Sequence, residues 1–150
     1  MSGLFDHASE VRTASTVAMV EDVLVTLGHY LNQCRGDAGS WRIRHGSATV
    51  EISLVGAATD THLRVASTVV YAGPTTDRPA LWHELLTRNA DLCGVAFAVR
   101  GDQVLLVAER STLDLDRTEV HDMIHRTATL ADDLDDDLAA RHGARRGTGG

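Results

Sequence analysis

The sequence predicts an α/β domain of the α+β kind. Its elements run α-β-β-β-α-β-β-α, giving a five-stranded, largely antiparallel sheet with helices packed on it. Three observations predict this. Val17, Val20, Leu24, Leu27, Leu31 and Cys34 recur at spacings of three and four, which draws one apolar stripe along a helix. Val50, Ile52 and Leu54 alternate with Thr49, Glu51 and Ser53, the two-residue period of a half-buried strand. The connections between successive strands are short, and short connections favour antiparallel neighbours.

The elements follow in chain order. Residues 1–14 are polar and unpatterned and are expected to form a flexible arm. Ser15 or Thr16 can cap a first helix that runs to about Gln33, where Gly36, Asp37 and Gly39 end it. Trp41 to His45 alternates as a first strand, Ala48 to Val55 is the second, and Thr61 to Ala72, rich in β-branched residues, is the third. Pro79 suits the first turn of a helix carrying Leu81, Trp82, Leu85, Leu86, Asn89 and Leu92 on one side. Val95 to Val99 and Gln103 to Arg110 form a hairpin through Arg100-Gly101-Asp102, with glycine supplying the positive φ of a tight turn. Asp116 followed by Glu119 reads as a capping box opening a last helix. That helix carries Val120, Ile124, Thr127, Ala131, Leu134 and Leu138 inward and closes at Gly143. Residues 15–143 thus form a single domain, and residues 144–150 read as a flexible tail.

Composition bounds the function. The 150 residues suit one domain, and 43% hydrophobic content supports a packed core. Fourteen cations, all arginine, face 21 carboxylates for a net charge of −7. That balance argues against nucleic acid, where neutralising phosphate dominates affinity, and fits a basic or amphipathic protein partner. No leader and no membrane-spanning run is read, so the expected compartment is the cytoplasm. Cys34 and Cys93 lack metal-type spacing and read as small buried hydrophobes.

The second face of the later strands breaks the expected pattern. Ala66, Val70, Ala96, Ala98, Leu105 and Val107 lie opposite the inward set, where a one-sided sheet exposed to water should be polar. Part of this outer face is therefore expected to be covered, most simply by a homodimer or by a protein or peptide client. A plain edge of small exposed residues is the alternative.

The element order and several residues together resemble the YbjN family, whose fold is that of type III secretion chaperones. The residues are Leu85-Leu86-Thr87-Arg88-Asn89 closing a helix, an apolar hairpin, and Leu113-Asp114 before the long last helix from Asp116 to Arg141. Trp41 to His45 and the helix with Leu24, Leu27 and Gly28 fit the front half. The likeness spans about Val17 to Gly143. It implies a homodimeric, non-enzymatic module that binds other polypeptides, either chaperone-like or as an adaptor or regulator.

Other constellations point less directly at chemistry. His121 and His125, at i and i+4 on the last helix, are the candidates for a metal site and for the alternative reading of a small-molecule or metal-responsive protein. No third ligand is placed, and the plainer reading is two histidines on the border of the buried face. Asp132, Asp133, Asp135, Asp136 and Asp137 form either a solvated charge run or a site for a cation or a basic client segment. No nucleophile elbow or phosphate loop is present, no catalytic residue is assigned, and no cofactor is expected. Trp41 and Trp82 read as core anchors rather than partner contacts.

Overall fold

The computed structural model describes residues 4–57 and 59–147. The helices are α1 (Leu4–Thr26), α2 (Leu31–Cys34), α3 (Arg78–Asn89) and α4 (Arg117–His142). The strands are β1 (Ser40–His45), β2 (Ala48–Ala57), β3 (Asp60–Tyr71), β4 (Ala96–Arg100), β5 (Gln103–Ser111) and β6 (Arg145–Arg146). The sheet runs β1-β2-β3-β5-β4, every pairing is antiparallel, and β6 joins it against β3. The fold class expected from the sequence is the one observed, with one further short strand.

The alternating residues decide which face is covered. Ile43, Val50, Ile52, Leu63, Val65, Leu106 and Phe97 point into a single core, where α4 supplies Val120, Ile124, Ala128, Ala131 and Leu138. α4 lies across β3, β2 and β5, and α1 packs against α4 through Val20, Val23 and Leu24. α3 sits at the other end, against β4 and α4. At about 25 cal/mol per Å² of apolar surface, this shared layer is the main source of stability.

α4 starts and stops where the sequence places it. The Asp116 carboxylate accepts from the Glu119 N–H at 2.9 Å, while Glu119 accepts from the Asp116 N–H at 2.9 Å, satisfying two otherwise free amides. Gly143, at φ 62°, closes the helix in a left-handed conformation and sends the chain back toward the sheet.

The first helix departs from its expected bounds. It begins at Leu4, so residues 4–14 are helical rather than an unpatterned arm, and over residues 7–26 the first buried side chain is that of Thr16. Thr16 is not its cap; its hydroxyl donates to the Arg12 carbonyl at 2.9 Å, one turn earlier. The helix also stops at Thr26 instead of running to Gln33. Gly28, at φ 89°, donates to the Val25 carbonyl at 3.0 Å, and the His29 N–H reaches the Leu24 carbonyl at 2.9 Å. This paired glycine cap terminates the helix. The apolar stripe continues through it because Leu31 and Cys34 restart as a separate turn, α2.

Candidate functional site

The outer sheet face divides into two halves. Over β1 and β2, and at one end of the β3–β5 pair, it is ionic: Arg42 pairs with Glu51, and Arg64 on β3 with Glu109 on β5, both at 2.6 Å. Toward β4 it is apolar. Ala66, Val107 and Ala96 share one cross-strand row, and Thr68, Leu105 and Ala98 share the next. Ala96 and Ala98 are exposed, Ala66 and Val107 are half-buried, and Leu105 is buried. Among the described helices none lies over this half.

Val70 does not belong to this face. A bulge between Thr68 and Val70 puts an extra residue into β3, so that Val70 pairs with the core-facing Val104. Val69 and Val70 are both fully buried in the core, and Tyr71 takes the outward position opposite Gln103. Strict alternation carried through residue 68 assigns Val70 to the wrong side. Nothing in Thr68-Val69-Val70 signals the bulge, since all three suit a strand.

The apolar half continues around the β4 edge. There Trp82, Leu85, Leu86 and Asn89 of α3 face Phe97, Ala98 and Val99 across a groove of about 320 Å³. Leu86 is 70% exposed and Val99 49%, more than such large side chains usually show. Asn89 closes the unpaired edge of β4. Its carboxamide oxygen accepts from the Phe97 N–H at 2.7 Å and its nitrogen donates to the Phe97 carbonyl at 3.2 Å. One side chain thereby occupies backbone groups that would otherwise be open to another strand. Trp41 is a buried core anchor whose indole N–H reaches Glu21, whereas Trp82, only half-buried, forms a wall of the groove.

A second strand edge is filled by the chain itself. β2 first pairs β3 at Ser67, so the edge of β3 beyond that residue is free of β2. Residues 145–147 take this place: Arg146 pairs with Val70, Arg145 with Tyr71, and the Gly147 N–H donates to the Val69 carbonyl at 2.7 Å. The Arg145 guanidinium lies 4.6 Å above the Tyr71 ring, and that of Arg146 is 2.8 Å from Asp136. The segment expected to be a flexible tail is, in residues 145–147, part of the sheet.

The remaining constellations resolve into structural roles. The His121 and His125 rings stack, with centroids 5.8 Å apart and planes 19° from parallel. Ring nitrogens carry their lone pairs in the ring plane, so stacked rings do not aim them at one common ion. Among the described residues no group of three or more His, Cys, Asp or Glu side chains could hold a metal. Of the acidic run, Asp132 accepts from the Ser47 amide at 2.6 Å and its hydroxyl at 2.7 Å, and buried Asp135 lies 2.7 Å from the same hydroxyl. These contacts fasten the β1–β2 turn to α4, and the Ser47 bonds hold the Asp132 carboxyl below the usual range. Asp137 pairs with Arg141, which also grips Glu84 on α3. Arg141 first, with His142 and Arg88, lowers the Glu84 carboxyl to about 2. Cys34 is buried, but Cys93 is exposed, against the expectation of two buried thiols, beside a hollow of about 260 Å³.

The family described as "T3SS (YopN, CesT) and YbjN peptide-binding chaperone 1" matches residues 14–148. The chain belongs to this family. Among curated proteins, no sequence matches it. Two solved structures of similar fold are complexes. The ExsC–ExsE complex aligns with a TM-score of 0.65 at 13% identity, covering 84% of this chain and 95% of that one. The Yersinia pestis type III secretion chaperone SycH, in complex with a stable fragment of YscM2, aligns with a TM-score of 0.51 at 15% identity, covering 82% and 96%. At these identities the likeness concerns the fold.

Within this peptide-binding chaperone family the residues that carried the resemblance now have physical roles. Leu85 is in the core, Leu86 stands exposed on the groove, and Asn89 is the clamp on β4. Leu113 is exposed, and Asp114 takes a positive φ of 55° in the turn that leads to the α4 cap. No described helix is long and apolar enough to cross a membrane.

Proposed function

We propose that this member of the peptide-binding chaperone family acts, without catalysis, as a homodimeric chaperone or adaptor. It holds an extended segment of a client polypeptide, and its compartment is the cytoplasm. The observation that carries the reading is the apolar half of the outer face, joined to the Leu86–Val99 groove, in a chain of the peptide-binding family. Ala66, Ala96, Ala98, Leu105 and Val107 are its floor. A second copy covers this surface without requiring another molecule, and two-fold symmetry lets one self-complementary patch serve both subunits. Two unpaired thiols, Cys34 and Cys93, suit a reducing compartment.

The test is a tagged pull-down from the native host, quantified by mass spectrometry, with wild type beside Ala98→Arg. Wild type is expected to elute with one or two polypeptides near stoichiometric amount. Ala98→Arg is expected to remain folded and to run as a single copy on analytical ultracentrifugation. A wild-type chain that elutes alone contradicts the chaperone reading. An Ala98→Arg variant with unchanged size and unchanged partners contradicts the assignment of the outer face.

A further inference from the structure

The free edge of β3 beyond Ser67 shows, in its present occupant, what it is built to hold. Residues 145–147 dock there by three separable contacts. Backbone pairing to Val70 and Tyr71 and the Gly147 bond to Val69 impose an extended chain. The Tyr71 ring carries one guanidinium on its face, and Asp136, itself largely exposed on α4, carries the next. At the third position only glycine fits: a Cβ on Gly147 would enter the Thr68 carbonyl oxygen and press on the Val69 carbonyl carbon. Beside Gly147, which lines it, lies a polar hollow of about 350 Å³ also lined by Arg42, Arg44, Thr49, Glu51, Thr68 and Tyr71. The hollow gives a longer segment room to continue. The present occupant is a two-residue strand whose residues are exposed, and beside its few backbone bonds its side chains are held by one surface ion pair and one cation–π contact. Such contacts are individually weak, so the segment is displaceable.

We infer that the β3 edge from Thr68 to Tyr71 is a binding slot for an extended, arginine-bearing segment of a client, and that residues 145–147 occupy it as an intramolecular competitor. The inference rests on the polypeptide-binding reading and adds the chemistry of the bound segment: adjacent arginines followed by glycine, running antiparallel to β3. Strand addition supplies affinity through the main chain, and Tyr71 and Asp136 supply the choice of side chain. It also gives the acidic end of α4 a role that its internal contacts leave open, because Asp136 reaches outward to a guanidinium that a client can replace. Binding from outside is weakened by the fraction of molecules in which the competitor is docked.

A fluorescein-labelled peptide of sequence Thr-Val-Ala-Arg-Arg-Gly-Val-Thr tests this by fluorescence anisotropy. It is titrated into the full chain, a Gly147→Val variant and a chain shortened after Ala144. A valine at 147 cannot pass the Thr68 carbonyl, so both altered chains are expected to present an open slot, with circular dichroism checking that the fold is intact. The expected result is binding at least about tenfold tighter to both altered chains than to the full chain, the signature of a competitor docked more than nine-tenths of the time. That gain is lost when the two arginines of the probe become glutamates, and when Tyr71→Ala is added. Equal binding to the full and altered chains overturns the inference, as does absence of binding to either altered chain while circular dichroism shows an intact fold. If the probe fails but the pull-down still captures a client, the inference falls and the chaperone reading stands. If the probe binds as expected but no client is captured, the fault lies with the chaperone reading.

Discussion

Glu84 shows how much single side chains carry here. It joins α3 to α4 through Arg141 and His142, and Arg141 foremost holds its carboxyl near 2 against an ordinary 4.5. A folded-state value below the unfolded one means that stability is fully present above about pH 4.5. That stability is lost as pH falls through the window toward 2. Glu84 is about one-fifth exposed, so screening reduces its contribution to on the order of 1–2 kcal/mol. Glu84→Gln is expected to lower the melting temperature at pH 7 by roughly 2–6 °C, with the difference from wild type shrinking toward pH 3. Calorimetry across that range checks it, and a difference independent of pH contradicts the ion-pair account.

Val70 and Ala98 separate the two sheet faces at the same scale. Val70 is fully buried after the bulge, whereas Ala98 is exposed. Val70→Asp buries an unpaired carboxylate and is expected to cost more than about 3 kcal/mol or to prevent folding. Ala98→Asp is expected to change stability by less than about 1 kcal/mol in the isolated subunit. Urea unfolding distinguishes them, and similar losses at both positions contradict the placement of Val70.

Elements were legible where one local signal decided them. Asp116 and Glu119 fix the start of α4, Gly143 fixes its end, and alternation through β2 gives the strand its inner and outer faces. Asp116→Ala is expected to cost about 1 kcal/mol, since it frees the Glu119 amide, and chemical denaturation measures that loss. Where two signals compete, periodicity alone misleads. The stripe from Val17 to Cys34 spans the Gly28 cap because α2 realigns its side chains with those of α1, so hydrophobic spacing cannot reveal the break. Gly28 is the one residue there suited to a left-handed cap, and it alone marks the break. The bulge at Val69 leaves no such mark. The β6 pairing was illegible for another reason: Arg145 and Arg146 gain their strand only from a distant partner, β3, and are not among the residue types enriched in strands.

At the scale of the molecule, helices cover one face of the sheet and leave the other half ionic, half apolar. The candidate surface was legible as a set, because Ala66, Ala96, Ala98, Leu105 and Val107 are apolar where alternation predicts polar residues. Its extension into the Leu86–Val99 groove was not, since the placement of α3 beside β4 is tertiary. In the proposed function a second copy covers that surface and a client polypeptide joins the complex. Native mass spectrometry of the tagged protein, purified gently from its own host, tests both together. The account predicts a species containing two copies of this chain and at least one bound polypeptide, reduced to single copies by Ala98→Arg. A wild-type preparation consisting of single copies with no bound chain would contradict it.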